Sequence, residues 1–143
     1  MSERWIKSVG KNVTLFAIGG FIYYMIEILW RGYSALPMVL VGGLCFLFCG
    51  SINEFMDWDM LIWKQMLACT AGITAIEFLS GYILNIIFGM GIWDYSGVPF
   101  NILGQICLPF TAAWYILSLP AIILDDYLRF WIFGEEKPRY KWR

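Results

Sequence analysis

Two carboxylates stand inside apolar stretches of this chain, Glu27 and Glu77. An ionisable group at the centre of a bilayer costs ~2.5–3.5 kcal/mol on insertion scales, so it pairs, faces a cavity or serves a transport path. Arg31 follows Glu27 by four residues, a spacing that allows a plain ion pair on one helix face. The matching position after Glu77 is Gly81, so Glu77 has no local cation. It must carry a proton, reach water or pair across helices. Glu77, Gly81 and Asn85 are spaced to share one face of a helix, as are Asn101 and Gln105 on a fourth helix. Two readings fit these polar groups. They line an outer pocket that binds a substrate or ion through Glu77, Asn85, Asn101 and Gln105. Or they are interhelical hydrogen bonds worth ~0.6–2 kcal/mol each.

Trp93, Asp94 and Tyr95 stand just before the fourth apolar run, at the mouth of such a pocket. The two aromatics suit a membrane interface. Asp94 is placed to cap the fourth helix, to line the mouth or to be solvated. Glu27 is the second-ranked carboxylate of the binding set, because its ion pair with Arg31 already explains it. The chain has no His and no Cys-x-x-Cys, so no metal ligand set is expected. Cys45, Cys49, Cys69 and Cys107 fall in apolar runs and read as buried thiols. No phosphate loop, Ser/His/Asp set or nucleic-acid pattern occurs, so neither catalytic residues nor a cofactor are expected.

The elements that must position these groups are four apolar runs: Val13 to Trp30, about Leu36 to Ile52, about Leu61 to Phe88, and Phe100 to Leu124. The chain is 60% hydrophobic and 15% charged, against roughly 45–50% and about 25% in a soluble domain. About 20 apolar residues cross a bilayer as a helix. Strand-like alternation is absent, and backbone facing lipid must satisfy its own amides, so each run is expected to be helical. The expected fold is an all-α membrane protein with four transmembrane helices. It forms a single domain over residues 1–143, with residues 125–143 as an interfacial tail.

Of the ten Lys and Arg residues, only Arg31 falls at the outer connections. The positive-inside rule then puts the N-terminus, the middle loop and the C-terminus in the cytoplasm. No small-x-small cleavage site follows the first run, which reads as a retained signal-anchor. The short acidic segment 53–59 is too small for a domain.

The second half of the chain repeats the first. Residues 33–48 and 95–110 share six identities in sixteen positions, including Tyr-Ser-x-x-Pro at Tyr33–Pro37 and Tyr95–Pro99. Ile26-Glu27-Ile28-Leu29 matches Ile76-Glu77-Phe78-Leu79, which leaves an insertion at roughly 80–92. This segment either continues the third helix or re-enters the membrane. The repeats span about 13–52 and 61–124. Each is a two-helix unit, so the copies are parallel and related about the membrane normal. Pro37 and Pro99 each suit the first turn of a descending helix.

Glu77, Trp93-Asp94-Tyr95-Ser96, Pro99-x-Asn101, Gly104-Gln105-Ile106-Cys107-Leu108 and Trp114 together resemble the CmpB-like family. These are small multi-helix bacterial membrane proteins named as ABC-transporter permeases. The resemblance covers most of the chain after the first dozen residues. It implies transport in a bacterial inner membrane. Lacking a nucleotide-binding motif, such a chain would need an ATPase or other membrane partner and a second copy of itself. Three functions are therefore carried forward: a transporter or permease subunit, a non-catalytic assembly or regulatory protein, and a membrane enzyme using Glu77 and Asp94 on a lipid-like substrate. The enzyme is the least expected of the three.

Overall fold

The computed structural model describes residues 3–55 and 60–142, and the backbone alone at 53–55. The middle-loop residues 56–59 lie outside the described residues. The architecture is α1 (Glu3–Arg31), α2 (Leu36–Phe55), α3 (Ile62–Gly81) continued by a π-helical turn (Tyr82–Ile87), a hairpin of β1 (Asn101–Ile102) and β2 (Ile106–Cys107), and α4 (Leu108–Phe133). The termini share one end of the bundle, where Lys11 of α1 pairs with Glu135 beyond α4 at 3.1 Å. That end is called inner here, and the opposite end, with the hairpin, outer.

Among the described residues, three helices are long and apolar enough to cross a membrane: α1, α3 with its π turn, and α4. The apolar part of α2, Leu36–Ile52, is shorter than the usual span. The surface is turned inside out relative to a water-soluble protein. Phe21, Leu40, Leu79 and Ile116 are all more than half exposed, while Gln65, Ser118 and Asp125 are fully buried. That distribution suits a hydrocarbon solvent, in which burial of apolar groups between helices gains little.

Between α1 and α2, small residues replace hydrophobic burial. A Cβ on Gly20 would lie 2.4 Å from the Val39 carbonyl oxygen, and one on Gly43 would lie 2.8 Å from that of Phe16. The two backbones approach closely there, and dispersion contacts between helices carry the packing. α4 packs on both α2 and α3, around a core of Cys49, Ile52, Met66, Cys69, Ile73 and Ile122.

The fourth span departs from expectation. It was placed at Phe100 to Leu124, but α4 runs Leu108–Phe133. Pro109, not Pro99, occupies its first turn, and residues 125–133 expected in the tail are helical. Pro37 does sit in the first turn of α2. The 62-residue offset of the repeat therefore does not carry the helix start from one half to the other. The third helix continues to Ile87 rather than re-entering, but through a π turn, which shifts the side-chain register after Gly81. The all-α expectation holds apart from the two-residue strands, paired antiparallel with Asn101 opposite Cys107.

Candidate functional site

The outer end of α1 brings three donors to one carboxylate. Glu27 accepts from the Tyr23 hydroxyl at 2.9 Å, Arg31 Nη2 at 3.0 Å and the Ser34 hydroxyl at 2.7 Å. Tyr23, Glu27 and Arg31 are four residues apart in turn, so one helix face presents them together. The other terminal nitrogen of Arg31 donates to the Ile92 carbonyl at 3.0 Å. This fork ties α1 to the segment after the π turn, a bridging geometry that a lysine ammonium cannot copy. Ser34, in the turn before α2, thus serves Glu27.

Glu77 sits deeper, 6% exposed, on the buried face of α3. The Trp114 indole of α4 donates to its Oε2 at 3.1 Å. Its Oε1 has no donor in bonding geometry, although the Tyr95 hydroxyl stands at the edge of reach. The Tyr23 and Trp114 rings lie 6.1 Å apart, centre to centre. The two carboxylates are thereby linked as Glu27–Tyr23–Trp114–Glu77 across α1, α4 and α3. Tyr95 stacks on Phe110 at 4.8 Å. Burial, followed by the nearby Glu77 carboxyl, holds the Tyr95 phenol above its ordinary range. It therefore keeps its proton and remains a donor facing both acids.

The amides take a different place from the one their spacing suggests. Asn101 and Gln105 were expected on one helix face. Both are in the hairpin instead, because α4 does not begin until Leu108. Asn101 donates to the Val98 and Ser96 carbonyls and accepts from Gly104 N–H. Gln105 accepts from Asn85 at 2.8 Å, and its backbone carbonyl accepts the Trp93 indole N–H at 3.0 Å. Asn85, half-buried in the π turn, also accepts Ile92 N–H at 2.7 Å. These amides tie the outer loop to the end of the third helix. Glu77, Gly81 and Asn85 do not form one uniform stripe, because the π turn intervenes.

The tied loop lies over Glu77. A Cβ on Gly81, one turn outward of Glu77, would meet Gln105 Oε1 at 2.5 Å and the Trp93 ring at 2.8 Å. Trp93 is correspondingly buried. Asp94 does not cap α4. It accepts Ser96 N–H at 2.9 Å in a local turn and is exposed. That amide, then the Ser96 hydroxyl, holds the Asp94 carboxyl below its usual range. The hairpin also holds Phe100 and Leu103 at positive φ, 57° and 53°, an uncommon state for such side chains.

Tyr23 and Trp114 are the residues that sequence reasoning underused. Tyr23 precedes Glu27 by one helical turn, a legible signal. Trp114 drew notice only through the family resemblance, since its distance from Glu77 in the chain is 37 residues. Chemically, the cluster offers a buried carboxylate with one uncommitted oxygen among protonated phenols and an indole. It suits holding a proton or small cation.

Long apolar helices, a lipid-type surface and buried polar groups define an integral membrane protein. Residues 14–133 match the sequence model of the CmpB family, described as "Putative ABC-transporter type IV". The chain belongs to that family. No curated protein and no solved structure is detectably similar to it.

Proposed function

We propose that this chain is a transporter subunit of a bacterial cytoplasmic membrane, with both termini inside, and that Glu77 is its proton- or cation-binding carboxylate. The observation that carries the reading is the Glu77 carboxyl itself. It is buried within a span and, among the described residues, has no cation within salt-bridge distance and one oxygen without a well-formed hydrogen bond, the Tyr95 hydroxyl standing at the edge of its reach. Structural glue would be expected to use both oxygens, since unpaired buried acceptors are costly. Glu27, held by Arg31, is the fixed member, and Tyr23 and Trp114 couple it to Glu77. Asn85, Asn101, Gln105 and Trp93 serve the site by pinning the outer loop over it. Tyr95 and Asp94 stand at its outer edge.

The matched Tyr-Ser-x-x-Pro and Glu-containing stretches support a common ancestry of the two helical hairpins as parallel repeats. The small bundle, with a short second span, supports assembly with further copies and with an ATPase or other membrane partner. One observation favours a non-catalytic assembly role instead: every candidate amide is spent on internal ties.

Flux into proteoliposomes under an imposed proton or sodium gradient separates the two, comparing the protein with Glu77→Gln. Gradient-dependent flux that disappears in Glu77→Gln supports the transport reading. Equal flux in both proteins rejects Glu77 as the coupling group. No flux in either, with both folded, favours the assembly role and directs attention to partners captured from the membrane.

A further inference from the structure

A second polar cluster lies at the inner end of the bundle, away from Glu77. Here α1, α2 and α4 border an open cleft of about 450 Å³. This volume falls within the range of small-molecule sites, ~300–1,000 Å³. Its lining is divided by chemistry. Ser8, Lys11, Asn12 and Arg129 supply hydroxyl, amide and cationic donors, while Leu47 and Phe48 form an apolar wall. Phe48 is part exposed, and its ring also lies against Gly72 of α3.

The two cations are held differently. Arg129 is 7% exposed at its side chain and is fixed by the fully buried Asp125 one turn before it. The Lys11 ammonium is more accessible and is met by Glu135 at 3.1 Å. Glu135 follows Gly134, whose left-handed conformation ends α4 and turns the chain back. The chain's own carboxylate therefore stands where an external anion would meet Lys11. The arrangement has a fixed guanidinium, an exchangeable ammonium, neutral donors and an adjoining apolar wall. Basic pockets between transmembrane helices at the inner face recognise anionic headgroups in this way.

We infer that the cleft bounded by Lys11, Arg129 and Phe48 binds the phosphate headgroup of an anionic phospholipid, with Glu135 as an internal competitor for Lys11. The inference rests on the proposed placement of the termini inside, and is independent of Glu77 and of what the protein moves. A plain Lys11–Glu135 ion pair predicts that losing either partner has the same consequence. A headgroup site with an internal competitor predicts opposite signs.

The test uses the full chain in a neutral detergent, titrated with phosphatidylglycerol or phosphatidylcholine and read by native mass spectrometry as retained lipid. Preferential retention of phosphatidylglycerol is expected. Lys11→Gln should weaken it about fivefold, the worth of one basic residue near an anionic surface. Glu135→Gln should strengthen it by a similar factor. Melting temperature, read in parallel, keeps a folding defect distinct from a lost site. Arg129 is left intact because its pairing with Asp125 makes a variant prone to misfolding. Inorganic phosphate is the second arm. Failure to displace phosphatidylglycerol supports a lipid site, whereas displacement with a matching Lys11 dependence supports the same phosphate chemistry from a free anion and overturns the lipid assignment. Equal retention of the two lipids, or retention unaffected by Lys11→Gln in a folded protein, overturns the inference.

Discussion

The link between Glu77 and Trp114 can be measured apart from any transport assay. The indole N–H donates to Glu77 Oε2 at 3.1 Å between α3 and α4, and Glu77 is 6% exposed. Glu77→Leu keeps much of the side-chain volume but removes the acceptor. A hydrogen bond is worth about 1 kcal/mol net, and a stranded buried donor costs ~1–3 kcal/mol. Within membranes such bonds average ~0.6 and reach ~1.7 kcal/mol, because the unfolded helices find other partners. Removing a buried acid also relieves a burial cost of similar size, so the change in the single variant does not isolate the bond. A double-mutant cycle with Trp114→Phe does isolate it. The expected coupling is about 1 kcal/mol in favour of the native pair. Glu77→Gln should retain it, since the amide oxygen can stand at Oε2 and the amide nitrogen at the place of Oε1, which has no donor to lose. The assay is reversible unfolding in mixed micelles, followed by helicity as the denaturing detergent fraction rises. Coupling below about 0.3 kcal/mol, the scatter of independent sites, would refute the bridge between the helices. So would equal losses in the Gln and Leu cycles.

Gly50 and Gly10 should respond oppositely to alanine. A Cβ at Gly50 would fall 1.9 Å from the Asp125 carboxyl carbon, whereas one at Gly10 meets nothing within 4 Å. Gly50→Ala should therefore cost ~1–3 kcal/mol by overpacking α2 against α4, while Gly10→Ala leaves the melting temperature unchanged or raises it through better helix propensity; a silent Gly50→Ala would deny the close approach. In the outer loop, the Asp94 carboxyl is held below its usual value of 3.8 by Ser96. Its contribution to the turn is thus present above the unfolded value and fades as pH falls through the folded one. A Ser96 amide resonance that titrates below 3.8 in the protein is the expected result, and a midpoint at or above that value would show that the turn does not hold the carboxylate.

Much of the architecture was legible because a bilayer is a demanding solvent. Runs of apolar residues near spanning length mark helices whatever their partners, since unpaired backbone amides are not tolerated in lipid. The Glu27–Arg31 pair was legible for a related reason: helix geometry alone brings residues four apart together. The same local rule misled at Asn101 and Gln105. Their spacing suits a helix face, yet Asn101 closes its own turn onto Val98 and Gly104, and helix formation waits for Pro109. Side-chain amides compete with the backbone for hydrogen bonds, and spacing does not reveal which competitor wins.

By itself, then, the sequence determined that this protein lives in a membrane, roughly where its helices run, and that Glu77 lacks a local partner. These follow from solvent and helix period, which act on neighbours in the chain. Only the tertiary structure decided that Trp114 reaches Glu77, that Tyr23 joins it to Glu27, that the amides pin a loop rather than line a helix, and that Lys11 and Arg129 bound one cleft. The joins that matter most, Trp114 to Glu77, Gln105 to Asn85 and Arg129 to Lys11, link residues far apart in the chain. Their meeting depends on how small residues let helices approach and where a π turn and a hairpin shift the register, and neither is encoded in any local spacing.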